Sequence, residues 1–118
     1  MDERLEKALE FSNYMVTLNN QKRVLKDQFR ENTIHYFNGG QFTITKDLVT
    51  FVNMLVDKDN IHDIVLIDDN EMPVVISDLE DFLSNIIDQY FSAANSYHAE
   101  FQQLIKNRST ETLVEYEK

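Results

Sequence analysis

Residues 33–56, TIHYFNGGQFTITKDLVTFVNMLV, decide the fold. Thr33 to Phe37 is rich in β-branched and aromatic residues, Asn38-Gly39-Gly40 follows, and Gln41 to Thr45 resumes the strand pattern. Asn and Gly tolerate the positive φ angles of a tight hairpin turn. Thr45 then suits the N-cap of a short helix through about Val56, with Leu48, Phe51, Val52 and Leu55 on one face. Asp57-Lys58-Asp59-Asn60 ends it as a polar loop. The same order recurs downstream. Asp63 to Ile67 reads as a strand, Asp68-Asp69-Asn70-Glu71 as a turn and Met72 to Ile76 as a strand. Pro73 cannot donate a ladder hydrogen bond, which places that strand at a sheet edge. Ser77-Asp78-Leu79-Glu80 has the form of a capping box opening a helix that runs to about Lys106 or Asn107.

At an offset of 31 residues, Asp47-Leu48, Phe51, Val52, Leu55 and Val56 align with Asp78-Leu79, Phe82, Leu83, Ile86 and Ile87. Either the two units are an internal duplication, or any capped amphipathic helix after a hairpin looks like this. Upstream, residues 2–30 read as one long helix, with Asp2 and Glu3 at its start and Lys26 and Arg30 in its last turn, as the macrodipole favours. The whole predicts an α+β protein in the order α-ββα-ββα, with a small antiparallel sheet and long terminal helices. A single domain is expected over 1–107 and a flexible tail over 108–118. Two glycines and one proline in 118 residues favour such long elements over loops.

The long helices carry apolar seams. Leu83, Ile87, Tyr90, Ala94, Tyr97, Phe101 and Leu104 alternate spacings of four and three, as in a heptad a/d stripe. A weaker seam runs through Phe11, Met15, Leu18, Lys22, Leu25 and Phe29. Both extend beyond what a sheet of short strands can cover. Tyr90, Ala94, Tyr97, Phe101 and Leu104 are therefore the expected oligomer interface, in a homodimer built as a helical bundle. Plain intramolecular core is the competing reading of the same residues.

The formal net charge is −10. Residues 1–31 hold six acids and six bases, and residues 32–118 hold fifteen acids and five bases. An acidic body argues against nucleic acid or anionic membrane as a partner. It fits a solvated surface or a docking face for a basic protein. Cysteine is absent, so there is neither a disulfide framework nor thiolate chemistry. No apolar run suits a signal peptide or a membrane span, and an intracellular or virion setting is expected.

Candidate chemistry is thin. His35, His62 and His98 lack the paired spacing of a zinc helix. Frames starting at Asp57 or Asp68 put His62 or Pro73 where a calcium loop needs Gly, so turn formation is the better account of those acids. Asn38-Gly39-Gly40 lacks the Lys and Ser or Thr of a phosphate loop, and Ser77 lacks a nucleophile's context. Lys22, Arg23, Lys26 and Arg30 form a basic stripe best read as solvated or paired with acids. No catalytic residue, metal or cofactor is expected.

His35-Tyr36-Phe37-Asn38-Gly39-Gly40-Gln41-Phe42, Asn19-Asn20-Gln21-Lys22, Val65-Leu66-Ile67-Asp68-Asp69-Asn70 and Asn107-Arg108-Ser109, taken together, resemble small uncharacterised proteins of marine contractile-tailed phages of cyanobacteria. The resemblance spans nearly the whole chain but contains no functional motif. It implies a viral origin and a place in the host cytoplasm or the virion, and it carries no activity. The expected function is a non-enzymatic structural or interaction protein, self-associating through its helices. The alternatives are an acidic regulator of a host or phage protein, and an enzyme with an inter-subunit site.

Overall fold

In the computed structural model, Asn38 and Gly39 take φ of 47° and 77°. Positive φ at both central residues is what a type I′ turn requires. Strand β1 (Ile34–Phe37) accordingly pairs antiparallel with β2 (Gly40–Thr43), with Phe37 opposite Gly40. Gly40 serves packing as well as the turn. A Cβ there would lie 2.6 Å from Val74 Cγ2, so only hydrogen fits. The structure describes residues 2–107 in full.

The remaining elements follow the expected order. Helix α1 is Glu3–Asn32, α2 is Lys46–Asp57, β3 is His62–Ile67, β4 is Pro73–Asp78 and α3 is Leu79–Glu117. The side chains of residues 108–118, expected as a flexible tail, lie outside the described residues. Backbone contacts group the chain into two units, Met1–Gln28 with Ser96–Lys118, and Phe29–Asn95. The sequence reads as one domain over 1–107 because these divisions fall inside the long helices, where no change of composition marks them.

Unit Phe29–Asn95 contains the hydrophobic core. Phe42, Ile44, Val52, Leu66, Val74, Ile76, Leu79, Phe82 and Ile86 are buried together. They come from both hairpins, α2 and the first turns of α3. Alternation on β3 and β4 sends Leu66, Val74 and Ile76 inward. Phe82 sits at the centre, edge-on to His35, Phe37 and Phe42 at 5.5, 5.7 and 5.3 Å between centroids.

Three local readings change. The strands form two separate two-stranded sheets rather than one of four. Polar contacts from the β3–β4 loop join the hairpins instead of a shared ladder. Gln41 N donates to Asp68 Oδ2 at 3.0 Å, Asp69 N donates to Gln41 O at 2.8 Å, and Thr43 Oγ1 donates to Asp69 Oδ2 at 2.6 Å. The N-cap of α3 is Asp78, whose Oδ1 accepts from Asp81 N at 3.2 Å, and not Ser77. Pairing of Asp78 with His62 carries β4 past Ser77 before the helix can begin. The proposed repeat is also out of step. Asp47 lies in the first turn of α2 while its counterpart Asp78 is a cap. Phe51 is 49% exposed while its counterpart Phe82 is 1% exposed.

Thr45 caps α2 as its sequence predicts, with Oγ1 accepting from Leu48 N at 3.1 Å. Thr45→Ala is expected to cost about 1 kcal/mol, read as a lower urea midpoint with an unchanged slope.

Asp68 is the organising group of the β3–β4 loop. It is buried, and its Oδ1 accepts from Asn70 N and Met72 N at 3.0 and 2.8 Å. The N–H groups of Gln41 and Met72, with a smaller share from Asn70, hold its carboxyl below the usual carboxylate range, against the opposing effect of burial. A depressed folded pKa stabilises the fold above the unfolded value, about 3.9, and that stabilisation is lost as pH falls through the folded value. Asp68→Asn is therefore expected to be less stable than the native chain at pH 7. The gap between their urea midpoints should close as the pH is taken below about 4. A gap independent of pH would show that carboxylate charge is not what the loop uses.

Candidate protein interaction surface

His35 on β1 is held by one side chain of α3. Gln89 Nε2 donates to Ile34 O at 2.8 Å and Asn32 O at 3.0 Å, which leaves Gln89 Oε1 to face His35 Nδ1 at 2.8 Å. With the amide nitrogen used by two carbonyls, the hydrogen in that contact belongs to Nδ1. The other ring nitrogen, Nε2, is buried and has no hydrogen-bond partner among the described residues. The ring stacks on Phe37 at 6.3 Å and meets the edge of Phe82. An imidazole fixed at Nδ1, buried at Nε2 and packed on two aromatic rings serves packing and register rather than acting as an accessible base. His62 and His98 are exposed. No group of three His, Asp or Glu able to hold a metal ion occurs among the described residues.

The five residues expected at an oligomer interface, Tyr90, Ala94, Tyr97, Phe101 and Leu104, are each partly buried within the single chain. Tyr90 packs on the core of unit Phe29–Asn95, and its ring meets Phe29 edge-on at 6.0 Å. In the other unit, Tyr97 and Phe101 pack at 6.2 Å and the Lys22 ammonium stands 5.7 Å from the Phe101 centroid. Lys22 interrupts the apolar seam as a sequence, yet a cation over a ring face is attracted to it. Leu18 of the same seam is buried, and Leu25 faces Leu104 across a groove shared with Thr17, Gln21 and Gln103. The two seams therefore meet at these points inside unit Met1–Gln28 with Ser96–Lys118.

Helix α1 has a second apolar stripe, and this one is open. Leu5, Leu9 and Val16 are 52%, 52% and 57% exposed. At about 100° per residue, they fall within roughly 40° of one another and about 80–180° from Met15, Leu18 and Leu25. Phe11 is also more than half exposed. From Phe11 to Gln21 the helix has no charged residue, and Ser12, Asn13, Asn19 and Asn20 flank the stripe. Helical spacing of leucines from Leu5 onward was visible in the sequence. Its division between two faces emerges only when burial assigns one face to the chain itself.

No protein-family model, curated protein or solved structure matches the chain. The surface must therefore be interpreted from its own chemistry. Unit Phe29–Asn95 has a groove of about 420 Å³ between α2 and α3, lined by Val49, Ile87, Tyr90 and Phe91 with Thr45, Lys46 and Thr50. Its wall is mainly apolar, with the Lys46 ammonium and the hydroxyls of Thr45, Thr50 and Tyr90 as its polar groups. No helix among the described residues is long and apolar enough to cross a membrane.

Proposed function

We propose that this chain is a non-enzymatic structural or interaction protein that self-associates as a homodimer through α1. The observation that carries this reading is the exposed stripe Leu5, Leu9 and Val16 on a helix whose charges cancel. Residues 1–31 sum to zero while the rest of the chain holds the full −10. Two copies meeting through the body would bring like charges together; two copies meeting through α1 would not. Around Val16, the uncharged run Phe11–Gln21 also lowers the desolvation cost of contact. A second copy presents the same stripe, so a twofold contact is self-complementary.

Sedimentation equilibrium tests the reading. Twice the 13.9 kDa chain mass is expected, and a strict monomer at high concentration overturns it. The viral setting implied by the resemblance has a separate test in mass spectrometry of purified particles. Abundant peptides support a virion component, and their absence supports a soluble regulator.

A further inference from the structure

The β3–β4 hairpin has apolar residues on both faces, and only one face is used by the core. Val65 lies opposite Val75, and Ile67 opposite Pro73. Val65, Ile67 and Val75 are 55%, 62% and 52% exposed, and Pro73 is exposed beside them. A two-stranded hairpin in water ordinarily places polar residues on its outer face, so four apolar residues in register form a prepared surface. Its surroundings have one sign of charge. Asp63, Asp69, Glu71 and Asp78 on the same hairpin and loop are exposed carboxylates. From Asp59 to Ile105 the chain has ten acids and neither Lys nor Arg.

The geometry points to this face as a docking site for a basic protein segment, one in which apolar side chains alternate with Lys or Arg. In an extended segment alternate side chains point to opposite sides, so one set meets Val65, Ile67 and Val75, while the long, flexible Lys or Arg side chains of the other set bend toward the carboxylates that border the row. Electrostatic attraction speeds encounter, and the apolar row supplies the register. A second copy of this chain is a poor occupant, because it would bring an equally acidic hairpin to the same place. This site is independent of the α1 stripe and of dimer formation.

The test uses the full chain and four synthetic peptides, in which Lys or Glu alternates with Val or Ser, followed by fluorescence anisotropy. The Lys–Val peptide should bind at least tenfold more tightly than either the Lys–Ser or the Glu–Val peptide, and its affinity should fall as salt is raised. Equal binding of Lys–Val and Lys–Ser peptides overturns the proposal, since charge alone would then suffice. Failure of the Lys–Val peptide to bind overturns it too. The triple variant Val65→Thr, Ile67→Thr, Val75→Thr keeps β-branched residues on the strands and leaves the charge unchanged. With an unaltered circular dichroism spectrum, it should lose at least tenfold in affinity for the Lys–Val peptide. If that variant instead dissociates a dimer, a second copy covers the face and the proposal fails.

Discussion

Phe82→Ala is expected to destabilise the protein by about 3–5 kcal/mol, the range for removing a large buried aromatic ring. Stability of ordinary domains is about 5–15 kcal/mol, so this single change removes a large part of it. Phe82 is 1% exposed and packs edge-on against His35, Phe37 and Phe42. Those three rings belong to hairpin β1–β2, while Phe82 comes from the first turns of α3. The hydrogen bonds of Gln89 to Asn32 O and Ile34 O fix the same helix to the same strand. Neighbours pinned in this way cannot collapse far into the space, which is when a cavity costs most. Urea unfolding should show the lower midpoint. Phe51→Ala is the internal comparison. Phe51 holds the aligned position on α2 but is half exposed, so its loss should be small. A cost for Phe82→Ala below about 1.5 kcal/mol would mean that the aromatic cluster relaxes around the gap.

The same pair shows what the sequence made legible. The order α-ββα-ββα could be read because each signal was local. Asn38-Gly39 encodes a turn with positive φ, Thr45 encodes a cap, and strand and helix periods differ. Tertiary assignments were not local. Phe51 and Phe82 have similar sequence surroundings, and which one is central depends on where the hairpins lie. The separation into two sheets depends on Asp68 and Asp69, acids read from sequence only as turn formers, reaching Gln41 and Thr43. The shift of the α3 cap from Ser77 to Asp78 depends on the pairing of Asp78 with His62. Of the expected interface, the heptad stripe lies on a helix face whose residues Tyr90, Ala94, Tyr97, Phe101 and Leu104 are partly buried within the single chain. It could not specify that Lys22 and Leu25 of the same chain would share that packing. The open stripe Leu5, Leu9 and Val16 was hidden for the converse reason. A helix with apolar residues on two sides has no single dominant face, and only subtraction of the buried one exposes the other.

Under the proposed α1 interface, Leu9→Asp is expected to yield a monomer without unfolding the chain. Leu9 is half exposed in the single chain, so its replacement removes little internal packing. Burying a large aliphatic side chain fully is worth about 1.5–3 kcal/mol. Loss of Leu9 from an interface therefore weakens association by roughly tenfold to a hundredfold. A carboxylate in place of an apolar contact adds to this, because it must be desolvated and, by the twofold, adds like charge where two copies of a segment that already carries Glu6 and Glu10 meet. Sedimentation equilibrium should return the 13.9 kDa mass for the variant at concentrations where the native chain is dimeric, with unchanged helicity by circular dichroism. Phe91→Asp is the control. Phe91 is a similarly exposed aromatic residue on α3 that lines the groove with α2, and its replacement should leave the mass of the proposed dimer intact. If Phe91→Asp dissociates the dimer and Leu9→Asp does not, the α2–α3 groove is the interface. The neutrality of α1 would then have served only to keep its long surface soluble.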